Sequence, residues 1–350
     1  MSGGRSEDPT VSLPDELDGR RLRRRVLQVT ALFVAIALLA WLAPGLDSIR
    51  SRLDHADPAW LVLGVALEVA SSACYVLMFG PVFCERLALR TSAEIGLAEL
   101  GVGSLVPAGG LGGLVLGAWA LRRGGMPTDQ VATRSVAFFL IKCAANFAAV
   151  AVVGILLWLG VGPSLSPALT ILPAVLALAV MAAVASLPVF LARVSGDGRV
   201  ARAARTLGRG VREALRLLRT GNPAILLGSL GYWAFDNVVL WACFHAFGVS
   251  PALTVVLMGY LIGQLGGLLP IPGGLGGVEG GLVGTLVVYG VSVRDAVAAV
   301  LAYRVIQFWI PLLLSVPAFV SLQRGLNRPE RPDLCVPPIP NLKQVDSASR

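Results

Sequence analysis

Two apolar segments that break in nearly the same letters limit this chain more than any other feature. Pro107-Ala-Gly-Gly-Leu-Gly-Gly113 recurs as Pro272-Gly-Gly-Leu-Gly-Gly277. Aligned on the shared Gly-Gly-Leu-Gly-Gly, Gly109 matches Gly273 and Gly113 matches Gly277, an offset of 164 residues. Glycine and proline are the poorest helix formers, so a helix in lipid breaks at each motif. The expected break residues are Pro107, Gly109, Gly110 and Gly112 in the first segment. In the second they are Pro270, Pro272, Gly273, Gly274 and Gly276. Paired breaks at corresponding places in two halves point to a membrane-embedded binding site.

The surroundings of these breaks are lipid-like. The chain is 55% hydrophobic and only 14% charged, with a mean hydropathy of +0.75, whereas soluble domains are about one quarter charged. An all-α polytopic membrane protein is therefore expected, because helices satisfy their own backbone hydrogen bonds in lipid. The short alternating strands of a barrel are absent. A net charge of +8 does not indicate nucleic acid here, because the arginines stand in blocks beside apolar spans. That placement sets membrane orientation and attracts anionic headgroups. The five cysteines show no metal-ligand spacing and are read as reduced packing residues. With only two histidines, His55 and His245, a histidine metal site is not expected.

Six full spans are predicted, at about 26–46, 59–82, 134–159, 168–192, 223–248 and 295–321, each near the ~20 residues a bilayer needs. Residues 1–19 and 323–350 read as disordered tails flanking one membrane domain over 20–322. Five arginines between Arg20 and Arg25 place the N-terminus in the cytoplasm, and eight arginines in 193–222 place that loop there too. Segment 94–121 must then enter from the cytoplasm and return to it, while segment 252–290 dips in from outside and returns outside. Both are re-entrant hairpins. Units 59–159 and 223–321 thus form an inverted-topology repeat, a layout of secondary transporters and lipid carriers. Between them, residues 198–220 read as an amphipathic cytoplasmic helix. Arg202, Arg205, Arg209, Arg212, Arg216 and Arg219 lie on one face, and Val200, Leu207, Val211, Leu215 and Leu218 on the other. Such a helix suits the inner headgroup layer.

Ionisable side chains at membrane depth are costly and mark function by default. Glu68, Glu99, Lys142, Asp236, Glu279 and Arg304 fall there. Glu279 opens the second half-helix, where the helix dipole favours a carboxylate. It is expected to bind a cationic headgroup, carry a proton or cap the half-helix. Arg304 is placed to hold a lipid phosphate bidentately, or to pair with Glu279 or Asp236. Lys142 lies in the corresponding span of the first unit. Asp236 and Glu99 are the remaining candidates for substrate binding, and Glu68 is read as facing a neighbouring helix. No Rossmann fingerprint, P-loop, nucleophile elbow or paired-histidine motif is present. No catalytic residue, metal or cofactor is therefore expected, and the chain is read as not an enzyme.

Pro270-Ile-Pro-Gly-Gly-Leu-Gly-Gly-Val-Glu279, followed by Gly290 and Tyr303-Arg304, resembles the lysylphosphatidylglycerol synthase transmembrane region, or flippase-like domain family. The resemblance covers about residues 25–322. Family members often carry Gly-Glu after the first break, where this chain has Gly112-Gly113. In bifunctional relatives such a domain is associated with moving aminoacylated phosphatidylglycerol between leaflets, while a separate soluble domain attaches the amino acid. Only 28 residues follow Leu322, so the resemblance implies the stand-alone membrane part.

The expected function is a flippase or transporter of a phospholipid or lipid-linked precursor, without a nucleotide motor. The alternative is a membrane-embedded transferase, or the membrane subunit of one, using Asp54 and Asp57 as an acidic pair. Expected partners are membrane lipids, anionic at the inner leaflet, and a lipid-modifying enzyme or glycosyltransferase. The arginine- and alanine-rich composition suggests a bacterial plasma membrane, with both termini cytoplasmic.

Overall fold

The computed structural model describes residues 56–105, 112–194, 196, 198–264 and 276–326, with a few positions between 24 and 31. Ten helices follow residue 56: α1 Pro58–Phe83, α2 Leu89–Leu105, α3 Gly112–Arg123, α4 Thr128–Trp158, α5 Pro167–Leu191, α6 Arg199–Arg219, α7 Pro223–Ala246, α8 Leu253–Gly263, α9 Gly277–Val288 and α10 Val293–Leu326. No strand occurs among the described residues. Five helices, α1, α4, α5, α7 and α10, are long and apolar enough to cross a membrane. They coincide with five of the six predicted spans. The sixth, 26–46, lies almost wholly outside the described residues.

Each broken apolar segment is two helices. Segment 94–121 holds α2 and α3, of 17 and 12 residues; segment 252–290 holds α8 and α9, of 11 and 12. None reaches the ~20 residues of a full crossing. Pro107, Gly109, Gly110, Pro270, Pro272, Gly273 and Gly274 fall outside the described residues. Gly112 is the first residue of α3. Gly276 caps α9 at φ +90°, in the left-handed region where a side chain would be strained.

Each pair packs as an antiparallel hairpin. A Cβ on Gly103 would stand 3.5 Å from the Gly113 nitrogen, and one on Gly263 would stand 2.7 Å from the Leu282 Cα. Gly259 likewise meets Leu286, one turn earlier on α8 and one turn later on α9. Small residues permit such close backbone contact in helical membrane proteins.

Helix starts recur along the chain. Pro58 and Pro223, Leu89 and Leu253, Gly112 and Gly277, and Thr128 and Val293 open corresponding helices, each pair 164 or 165 residues apart. The first pair has the same local chemistry. Asp57 accepts the Ala59 N–H at 2.9 Å, and Asn222 accepts the Ala224 N–H at 2.9 Å. Proline follows each cap at the first helical position, where its missing N–H costs nothing.

The matching helices α1 and α7 run antiparallel along their length. Asp57 N–H bonds the Ala246 carbonyl at 2.8 Å, the Ser71 hydroxyl donates to the Tyr232 carbonyl at 2.9 Å, and Gly228 abuts Cys74 and Met78. The bundle therefore has two apolar ends. One gathers Phe79, Phe83, Leu121, Val131, Leu217, Ile225 and Leu322; the other gathers Leu157, Phe244, Val256, Leu286, Tyr289 and Ala296. The open end of the α2–α3 hairpin lies at the first, and that of the α8–α9 hairpin at the second.

Helix α6 differs from its reading as a headgroup helix with one uniform apolar face. Val211, Ala214 and Leu217 are buried, and Gly210 sits against Val136 and the Thr133 carbonyl of α4. Val200 is 78% exposed. The apolar residues divide, one set packing on the bundle and the other facing outward. Arg134 fastens the arrangement, donating to the Val82 carbonyl at 2.7 Å and pairing with Glu213 at 3.1 Å. Arg216 grips the same Glu213 through two bonds of 2.8 and 2.7 Å.

Candidate functional site

Between the two apolar ends lies a cavity of about 860 Å³. Glu68 and Ser72 of α1, Glu99 of α2, Lys142 of α4, Asp236 of α7 and Arg304 of α10 all line it. Five of the six ionisable residues singled out in the sequence thus share one space. The sixth, Glu279, reaches it through Arg304. The opposite wall is apolar, built from Val180, Met181, Val184 and Ala185 of α5 and Val211, Leu215 and Leu218 of α6. Helix α5 presents Leu172, Val175, Leu176 and Leu178 outward, so that wall divides the polar interior from a lipid-compatible surface.

The charges form two groups. In the first, the Arg304 Nε donates to Glu279 Oε1 at 2.6 Å, and the side chains are 7% and 20% exposed. The other Glu279 oxygen accepts the Gly276 N–H at 2.6 Å. Glu279 is therefore both an N-terminal cap of α9 and the counter-ion of Arg304, two roles the sequence left as alternatives. Arg304 also donates to Gln307. Asp236 is the hub beside this pair. It accepts hydrogen bonds from the Tyr303 hydroxyl, at 3.1 and 3.2 Å, and from the Tyr260 hydroxyl. Gln264 donates to Tyr303 at 3.3 Å. Glu68 lies against Asp236.

The second group has fewer partners. Lys142 Nζ stands 5.8, 5.8 and 5.9 Å from the ring centroids of Tyr75, Phe139 and Tyr232, a cation–π cage. Glu99 faces it electrostatically, is only 2% exposed, and has both carboxyl oxygens without a hydrogen-bond partner. Gly113 and Gly117 of α3 close over Glu99, so the carboxyl is packed by the hairpin backbone. A carboxylate whose polar neighbours are Tyr75 and Lys142, beside an ammonium set among ring faces, leaves polar capacity for a ligand.

Arg304 is thus engaged by Glu279 and Gln307, and Asp236 by two tyrosines and Glu68. Among the described cavity-lining groups, Glu68, Ser72, Glu99 and Trp233 keep side-chain atoms without a hydrogen-bond partner, and Lys142 stands beside them. Sequence reasoning had set Glu68 aside. It also passed over the hydroxyls of Tyr260 and Tyr303, whose only signal was tyrosine in an apolar helix. Of the acidic pair considered for transferase chemistry, Asp54 lies outside the described residues, and Asp57 is engaged in capping α1.

An all-helical bundle with a charged interior cavity and several membrane-length apolar helices defines a polytopic membrane protein. The chain belongs to the family described as the lysylphosphatidylglycerol synthase TM region, whose match runs over residues 28–315. It is also similar to UPF0104 membrane proteins of Methanothermobacter thermautotrophicus. One is 25% identical over 332 residues, which cover 84% of this chain and 94% of the relative. Two others match over shorter stretches. The first is 41% identical over 93 residues, 26% of each protein; the second is 35% identical over 92 residues, 26% of this chain and 28% of the relative. Against those two the match spans only about a quarter of the relative's length.

Proposed function

We propose that this protein carries an amphiphile with a charged head, a phospholipid or a lipid-linked precursor, between the leaflets of the plasma membrane. The single observation that carries the reading is the cavity. It gathers Glu68, Glu99, Lys142, Asp236 and Arg304 between two packed apolar cores. Such a concentration of charge at membrane depth has a large insertion cost, which supports a role in handling a polar cargo. In this reading Lys142 receives the phosphate and Glu99 receives an amine or hydroxyl of the head. The acyl tails trail past α5 into lipid. Binding the head replaces water with fixed charges, which lowers the barrier to crossing.

The route across follows from an inverted repeat. Six full spans and two re-entrant hairpins make the two halves opposite copies, which rock about the α1–α7 crossing. The antiparallel packing of α1 on α7 and the opening of the two hairpins at opposite ends support this arrangement. The arginine-rich end, with Arg122, Arg123, Arg134 and α6, faces the cytoplasm, as do both termini. There α6 attracts anionic lipid, and an enzyme that modifies lipids or transfers sugars would supply or consume the cargo.

The test is a leaflet-accessibility assay with fluorescent phospholipids in vesicles holding oriented protein. The wild type is expected to expose inner-leaflet probe to a membrane-impermeant quencher, and a Lys142→Met, Glu99→Gln double variant is not. Identical kinetics in protein-free, wild-type and variant vesicles, across anionic, zwitterionic and polyprenyl probes, would remove the proposal.

A further inference from the structure

Glu68 and Asp236 meet where α1 crosses α7. The register is set one turn away, by the 2.9 Å bond from the Ser71 hydroxyl to the Tyr232 carbonyl. Ser71 is three residues after Glu68 and Tyr232 is four before Asp236, so both acids project from the same faces of an antiparallel pair. Both are nearly sealed, at 4% and 6% exposure. Asp236 already accepts from two tyrosine hydroxyls. Glu68 keeps one oxygen, Oε2, with no partner in the protein. One turn further along α1, Ser72 is 2% exposed, and its hydroxyl is also unpartnered. Both Glu68 and Ser72 line the cavity.

Ionised carboxylates only accept hydrogen bonds, so two of them in contact have nothing to share. One hydrogen between the facing oxygens turns the contact into a donor–acceptor pair. We propose that the Glu68–Asp236 pair is a proton-binding site, holding one exchangeable proton on the hinge between the two halves of the molecule.

The groups around the pair leave it as the titrating unit. From α10 come Tyr303 and Arg304, and Arg304 is held by Glu279 of α9; from α8 comes Tyr260. Tyr232 of α7 separates the pair from Glu99 of α2 and from Lys142 and Cys143 of α4. Because the pair bridges the two halves, gain and loss of the proton alters the contact that any rocking motion must rearrange. Resting on the transport reading above, the proton gradient then becomes the driving force for lipid movement.

Two measurements on the full-length protein in lipid decide this. Infrared difference spectra between mildly acidic and alkaline buffer are expected to contain a protonated-carboxyl band that shifts in heavy water. It should disappear in both Glu68→Gln and Asp236→Asn, survive in Glu99→Gln, and move without disappearing in Glu68→Asp. Absence of that band in the wild type, its persistence in Glu68→Gln, or its displacement by sodium at fixed pH would overturn the site. In vesicles, an imposed gradient of one pH unit should shift the leaflet distribution of lipid by up to about tenfold for one proton per lipid, and Glu68→Gln should abolish the shift. A shift that persists in Glu68→Gln would overturn the coupling. If the wild type moves no lipid at all, the transport reading fails, while the infrared band still decides whether the proton site exists.

Discussion

Arg304 and Glu279 show how much a single side chain's role depends on its partner. Their bond of 2.6 Å is largely shielded from water. Removing one member of such a pair leaves an uncompensated charge, at a cost of about 3–5 kcal/mol. Glu279→Leu should therefore lower the thermal unfolding midpoint in detergent markedly, and the loss should be larger than in Glu279→Gln, which keeps an acceptor for Gly276 and Arg304. Lys142 should behave differently. Its ammonium stands among ring faces and opposite Glu99 without a hydrogen bond to it, so Lys142→Met should lower the unfolding midpoint less than Glu279→Leu does. Lipid movement should fall by about tenfold or more, the value of a hydrogen bond to a charged group. That six ionisable residues fall in apolar segments was legible in the sequence, because charge there is costly wherever it occurs. Which of them pair was not. Asp236 finds Tyr303 67 residues away, and no local pattern reports such a contact.

At the level of the helices, the α1–α7 crossing depends on small residues. A Cβ on Gly228 would stand 2.9 Å from both the Cys74 carbonyl and the Met78 nitrogen. Backbone atoms yield little, so Gly228→Leu should destabilise the protein by about 1–3 kcal/mol or more. Gly284 also lies in an apolar helix, but a Cβ there meets nothing within 4 Å. Gly284→Ala should be neutral or stabilising by about 0.4–1 kcal/mol. Chemical denaturation of the two variants in mixed micelles separates these outcomes.

Helix α6 carries a pH dependence. Hydrogen bonding from Arg216 is the largest influence on Glu213 and holds its carboxyl below the usual range; partial burial opposes this, and the charges of Arg134 and Arg216 add to it. A depressed carboxyl contributes stability that is fully present above its unfolded value and lost as pH falls through the folded one. The docking of α6 should therefore loosen below about pH 4. Protection of α6 amides in hydrogen exchange should drop over that window in the wild type, and the drop should be smaller in Glu213→Gln. The helices themselves were legible from apolar run length and arginine periodicity. The face of α6 that docks was not, because Val200 and Val211 look alike in sequence and only packing on the bundle buries one and leaves the other exposed.

Among the described residues, the starts of α1–α4 recur in α7–α10, with α5 and α6 between the two sets. If the halves are opposite copies in the membrane, their loops sort by side. Single cysteines at Gly125 and Gly196 should react with an impermeant maleimide from the cytoplasmic face only, and those at Gly162 and Gly290 from the outer face only. Labelling of Gly162 and Gly125 from the same face would contradict the inverted arrangement.

The sequence by itself determined that the chain is a helical membrane protein, where its long helices lie, and where two apolar segments break. These properties follow from local costs: hydropathy over about twenty residues, the missing helical capacity of glycine and proline, and the price of charge in lipid. The tertiary structure decided that the charges share one cavity, that Arg304 belongs to Glu279, and that Glu68 meets Asp236. Those facts depend on register between helices far apart in the chain, and register is set by close packing at positions such as Gly228 and Gly263. No residue carries that information alone.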